Sequence, residues 1–157
     1  MKLWNKEDIL NKKVEEFTVG DDRNSDIFLA KYDVIASIAH AKMLCKTKII
    51  SKNESNLLIK ELKSIQNEIS KNKFRIEGKF EDIHSKLEFI LTERLGEIGK
   101  KIHTGRSRND QVLVATQLYL KDEILIIKEL IKNLFDTLMM LANKNKNKLL
   151  PGYTHLQ

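Results

Sequence analysis

The segment HTGRSRNDQ, residues 103–111, concentrates groups that bind anions. Arg106 and Arg108 are two of the chain's five arginines and stand two residues apart. A guanidinium grips a carboxylate through two parallel N–H bonds. Thr104, Ser107 and Asn109 add neutral groups that orient an anion without adding charge. The segment opens a long helical pattern, where unpaired amides and the dipole's positive end favour negative charge. The combination suits a dicarboxylate. A capping serine between solvated arginines is the plainer alternative, but a helix start needs only one cap, so most of the segment is left unexplained.

A second stretch, Tyr153-Thr154-His155-Leu156-Gln157, follows Pro151-Gly152. Thr154 can bond a carboxylate oxygen. His155 can transfer a proton or, as imidazolium, polarise a substrate; a surface histidine after a turn fits the same residues. His84 has Glu88 one turn later as a possible orienting partner, or is an ordinary histidine at a helix start. His40 sits on an apolar helix and reads as core or interface. The four histidines and one cysteine show no metal spacing such as HExxH or CxxC. Glycine-rich phosphate loops and GxSxG are also absent from the sequence.

Four helices are predicted to carry these groups. The first twenty-odd residues read as irregular, with a turn at Gly20-Asp21-Asp22. A first helix is predicted over 25–46, with Phe28, Tyr32, Ile35 and Ala39 as its apolar stripe and Val34, Ile38 and Ala41 widening it. Ser51 and Glu54 have the spacing of a capping box and open a second helix, buried through Leu58, Leu62, Ile65 and Ile69 and ending near 70–73. A third starts near Glu81-Asp82, buries Ile83, Leu87, Ile90 and Leu91, and ends at Gly96 and Gly99. The fourth runs over 107–143, roughly 54 Å at the α-helical rise. Leu120, Ile124, Ile127, Ile131, Leu134, Leu138 and Leu141 give it a seam at spacings of 4 and 3. The chain offers too few helices of that length to enclose it, so its neighbours are expected from other residues or subunits. The fold class expected is all-α, with an amino-terminal helical domain over 1–105 and the start of a central helix bundle over 106–157.

Composition narrows the function classes. The 157 residues are 41% hydrophobic and 32% charged, which suits a globular protein rather than a disordered one. Net charge is +6, with lysines scattered among glutamates, which reads as a solvated basic surface or as steering of an anion. Aromatics make up 6%, few for stacking bases, so nucleic acid is not expected as a partner. No apolar run reaches the roughly 18 residues of a membrane span, and the opening MKLWNKEDIL lacks a signal peptide's apolar core. The single Cys45 reads as a small buried hydrophobe. A reducing cytoplasm fits these features.

HTGRSRNDQ and PGYTHLQ together, with EDIH upstream, resemble the argininosuccinate lyase branch of the fumarase/aspartase superfamily. The opening Lys2-Leu3-Trp4 and the stretch LAKYDVIASIAHAKML fit the same family. The resemblance implies nearly all-helical homotetramers that split argininosuccinate into arginine and fumarate by anti elimination, without a cofactor. An aci-carboxylate intermediate then needs electrostatic stabilisation. Residue by residue, it implies that Asn109 and Thr154 bind substrate and that Ser107 and Arg108 share the anion-binding turn. His155 matches a histidine given an acid/base role, Gln157 lies beside it, and His84 matches a histidine near the site.

The chain departs from the family in two places. Where the family has a segment shaped like F-x-x-S-I with a substrate-contacting serine, this chain reads Phe17-Thr18-Val19-Gly20-Asp21-Asp22-Arg23, leaving Arg23 or Asp21 as stand-ins. The family's loop with the proton-abstracting serine lies beyond Gln157, and each family site draws on three subunits. The expectation is therefore the amino-terminal part of a carbon–nitrogen lyase, inactive alone. The alternatives are a non-catalytic helical assembly fragment, a crystallin-like structural relative, or another lyase of the superfamily.

Overall fold

The computed structural model describes residues 12–155. The opening Lys2-Leu3-Trp4 and Gln157 lie outside the described residues. All regular structure among the described residues is helical, as the sequence predicts. The chain divides into two compact units, the first running through Tyr119 and the second from Leu120.

In the first unit α1 spans Lys12–Val19, where the sequence reads as irregular. In this helix Phe17 is 89% exposed and Val14 49%, while Val19 is buried. Gly20 ends the helix at a φ of 52°, a left-handed angle that glycine adopts without penalty. The single helix expected over 25–46 is instead α2 (Asp22–Asp26), a 3-10 turn over Ile27–Leu29, and α3 (Ala30–Lys46). A 3-10 turn winds with 3.0 residues per turn, so it shifts the register between flanking α-helices. The expected stripe is displaced accordingly: Phe28 and Ile35 are exposed. The buried face of α3 runs through Ala30, Val34, Ser37, Ala41 and Leu44, with Tyr32 and Asp33 beside it. Two polar residues on that face, Asp33 and Ser37, hide it from an apolar count.

Helix α4 (Lys52–Ser70) begins with the capping box. The Glu54 amide donates to Ser51 Oγ at 3.2 Å, and the Ser51 amide donates to Glu54 Oε2 at 2.7 Å. Leu58, Leu62 and Ile65 are fully buried. Helix α5 (Ile83–Leu95) is capped by Asp82, whose carboxylate accepts from the Ser85 amide at 2.6 Å. Ile83, Leu87, Ile90 and Leu91 are buried, and Gly96 ends the helix at φ 59°.

Gly99 does not end α5. It sits within α6 (Glu97–Lys100), packed so close to α5 that a Cβ there would overlap the Leu91 carbonyl. The core joins α3, α4 and α5 through Val34, Leu44, Leu58, Leu62, Leu87 and Leu91, with Ile102 from the 3-10 turn Lys101–His103. Each such side chain contributes about 1.5–3 kcal/mol by leaving water. Cys45 is half-buried against this core.

The last helix, α7, spans Arg108–Asn145. Its start lies in the first unit, where Gln111 and Ala115 are fully buried. In the second unit the seam is exposed: Ile124 62%, Ile131 62% and Leu134 60%. The apolar side chains of this stretch lack, within this chain, the packing that normally stabilises an amphipathic helix. Among the described residues, no helix is long and apolar enough to cross a membrane.

Candidate functional site

Residues 104–107 link the 3-10 turn over Lys101–His103 to α7. The 3-10 turn Lys101–His103 ends at Thr104, which is extended at φ −59°, ψ 126°. Gly105 follows at φ 72°, where a side chain would be strained. Ser107 then caps α7. Its Oγ accepts from the Asp110 amide at 3.3 Å, while its own amide donates to Asp110 Oδ2 at 2.7 Å. Its hydroxyl also donates to Asp110 Oδ2 at 3.0 Å. The Ser107 amide and hydroxyl hold the Asp110 carboxyl below its ordinary range.

The two arginines point inward. Arg106 Nη2 donates to Ser37 Oγ at 3.0 Å. Burial lowers the Arg106 pKa from its ordinary value, and the Asp33 charge is the strongest force opposing that. Arg108 Nη1 donates to Glu88 Oε1 at 3.2 Å and to Gln111 Oε1 at 3.0 Å. Its Nε lies 3.7 Å from Asp82 Oδ2. Between and beyond them, Ser107 and Asn109 are exposed. An alternation of two results: charged side chains anchor the turn, and neutral ones face outward.

Two helices receive the arginines. Asp33 and Ser37, four residues apart on α3, lie on one face, and His84 and Glu88 do the same on α5. Glu88 is the possible orienting partner one turn from His84, but the side chain His84 meets is Asp33. His84 Nδ1 lies 3.0 Å from Asp33 Oδ2, with His84 1% exposed and Asp33 fully buried. The contact is one of proximity rather than an aligned hydrogen bond, and neither Asp33 oxygen has a hydrogen-bond partner. Glu88 is taken by Arg108 and by His103, whose Nδ1 is 3.0 Å away. The local i, i+4 rule identifies the pairable residues but not the partner, because Asp33 arrives from another helix.

His40 also belongs to the site, a role the sequence conceals. Its half-buried ring donates from Nε2 to the Thr104 carbonyl at 2.9 Å, tying α3 to the turn. Burial, then the neighbouring Arg106 charge, lowers its pKa. Between α3 and the start of α7 lies an open groove of about 490 Å³. Its walls include Ile35, Val114 and Leu118, with His40, Arg106 and Asp110 supplying the polar groups.

The other stand-ins have structural partners. Arg23 donates from Nε to the Phe80 carbonyl at 2.7 Å and from Nη2 to the Gly78 carbonyl at 2.9 Å. Asp21 accepts from Asn24 Nδ2 at 2.6 Å. Thr154 and His155 lie in the second unit, both exposed, with His155 at φ 52°. Among the described residues, no group of three or more His, Cys, Asp or Glu side chains is placed to hold a metal ion. As it stands, the turn presents neutral hydrogen-bonding groups at a helix start, backed by buried positive charge. Such a surface can hold a carboxylate without a direct guanidinium contact.

The argininosuccinate lyase of Parabacteroides distasonis is 49% identical over 156 residues, covering 99% of this chain and 35% of that protein. That of Bacteroides thetaiotaomicron is 48% identical over the same length. That of Acetivibrio thermocellus is 46% identical over 159 residues, covering the whole chain and 34% of that protein. The chain thus spans about a third of the length of these curated relatives. A family described as lyase matches residues 1–157. Since that match leaves no part of the sequence outside it, the chain belongs to this lyase family.

Proposed function

We propose that this chain supplies part of the active site of an argininosuccinate lyase, a carbon–nitrogen lyase. The observation that carries the reading is similarity along the whole chain to proteins of that name. The exposed Ser107 and Asn109 at the start of α7 support it. In this reading Asn109 and Thr154 bind a substrate carboxylate, with Ser107 beside them. Arg108 acts from within, through its charge. His155 serves in proton transfer, and Gln157 stands next to it.

The reaction is an elimination. A base removes the proton beside a carboxylate, and the negative charge spreads onto that carboxylate as a dianion. The C–N bond then breaks, the guanidinium nitrogen keeps the electron pair and takes a proton, and fumarate and arginine leave. Oriented hydrogen-bond donors lower the barrier where the dianion forms. No cofactor is needed. His84, buried behind the turn, supports the site without touching substrate.

The proposal extends to a cytoplasmic homotetramer in which the exposed α7 seam is covered by helices of other subunits. It also holds that residues 1–157 alone lack turnover. Purified protein from the complete gene, given argininosuccinate, should release fumarate, read by ultraviolet absorbance. No fumarate would overturn the assignment. Turnover by residues 1–157 alone would overturn the partial-site reading.

The assembly reading has its own support in the exposed α7 side chains. It predicts concentration-dependent association by sedimentation, and a monomer at all concentrations would remove it.

A further inference from the structure

We propose that Glu88 is a positioning residue for the face bearing Ser107 and Asn109: one of its carboxylate oxygens clasps both ends of the link between the 3-10 turn and α7. That this face meets a substrate rests on the lyase reading above; that Glu88 holds it rests on the hydrogen bonds alone.

The two ends are His103, the last residue of the 3-10 turn, and Arg108, the first of α7. His103 Nδ1 donates to Glu88 Oε1 at 3.0 Å, and Arg108 Nη1 donates to the same oxygen at 3.2 Å. A carboxylate oxygen carries two lone pairs, so one atom can accept both bonds. The two side chains converge on a single point, which sets the spacing of the elements that carry them. Asp82 also lies near Arg108, but it stands farther off, at 3.7 Å from Nε, and its carboxylate caps α5.

Glu88 is a firm point of attachment. It follows Leu87 on α5 and precedes Leu91 by three residues, and both leucines are in the core. Helix α3 acts on the middle of the link instead, through His40 at the Thr104 carbonyl and Ser37 at Arg106. Helix α3 thus holds the middle and α5 the ends. Arg108 stands directly between Ser107 and Asn109, and its side chain turns inward while theirs are exposed. Fixing Arg108 from inside fixes both neighbours, and Glu88 need not approach a ligand to do so.

Amide hydrogen exchange in the complete gene product tests this without relying on activity. The amides of Thr104, Arg106, Ser107 and Asp110 are hydrogen-bonded within the link and the first turn of α7, so their exchange reports its opening. Glu88→Ala should speed exchange there about tenfold or more relative to α4, the scale of a lost hydrogen bond to a charged group. Glu88→Gln keeps an acceptor oxygen at the same reach and should stay closer to the unsubstituted protein than to Glu88→Ala. Glu93→Ala removes an exposed glutamate of the same helix and should leave that exchange unchanged. Unchanged exchange in Glu88→Ala, equal loss in Glu88→Gln, or an equal effect of Glu93→Ala would overturn the proposal.

Should Glu88→Ala fail to fold, His103→Ala decides, because that half-exposed side chain can be removed without opening the core. It should speed exchange at Thr104 and Arg106, and unchanged exchange overturns the proposal. In the same samples, kcat/KM for fumarate release should fall about a hundredfold in Glu88→Ala, the scale of an ångström-level misplacement, and recover in large part in Glu88→Gln. An opened link with unchanged kcat/KM overturns the role of Glu88 at the site. Absence of fumarate from the unsubstituted protein sinks the lyase reading and leaves the exchange result to judge the clasp.

Discussion

The two ends of α7 behave differently although they share one helix. Its first turns belong to a unit that buries polar groups: Gln111 is fully buried and its side-chain oxygen accepts from Arg108. Its later turns expose isoleucine and leucine at half or more of their surface. In one region charge is held inside, and in the other apolar surface faces outward. Both run against the usual partition of residues between core and surface. A buried charge network is costly to build and is expected where geometry must be exact. An exposed apolar stripe is costly to leave open and is expected where a partner covers it.

The contrast can be broken by substitution. Leu87→Ala in the first unit should cost about 2–5 kcal/mol in urea unfolding. Ile131→Ala on the exposed seam should leave that unit's transition within about 0.5 kcal/mol. Equal effects would mean the seam is packed after all. Asn109→Ala should separate function from stability: folding unchanged, with fumarate release by the complete gene product down about a hundredfold, as for loss of one oriented donor. A large loss of stability instead would place Asn109 among the anchoring residues.

Smaller effects sharpen how the first unit is held. Gly99→Ala forces a Cβ against the Leu91 carbonyl; it should cost about 1–3 kcal/mol, as overpacking does, visible as a lower Tm. Ser51→Ala removes one half of a capping box and should cost about 1 kcal/mol.

The smallest effect is in pH. A hydrogen bond from Lys101, then bonds from the Ser51 amide and hydroxyl, lower the Glu54 pKa from 4.5 to about 2. Its folded value lies below its unfolded one. The stability it adds is therefore present above about 4.5 and lost as pH falls towards 2. Glu54→Gln should flatten that part of the acid limb, measured by denaturation at stepped pH. An unchanged limb would remove Glu54 from the account.

Legibility followed range. The Ser51–Glu54 box, the buried face of α5 and the stop at Gly96 depend on residues within one or two turns, and all were readable. Helix α1 was not, because its eight residues offer Val14, Phe17 and Val19 as apolar positions, too few for a sustained stripe. The face of α3 was misread because a 3-10 turn reset its register and because Asp33 and Ser37 occupy buried positions. The spacing of Arg106 and Arg108 suggests ligand-facing guanidinium groups, whereas both turn inward.

The sequence by itself determined the helical content and the local caps, including the serine that starts α7, since each rests on spacing along the chain. The family resemblance also lay there, in HTGRSRNDQ and PGYTHLQ. Only the tertiary structure decided which side chains of that turn face inward. Arg106 meets Ser37 across 69 residues and His84 meets Asp33 from another helix, and no local rule specifies which distant carboxylate or hydroxyl a buried polar side chain will meet.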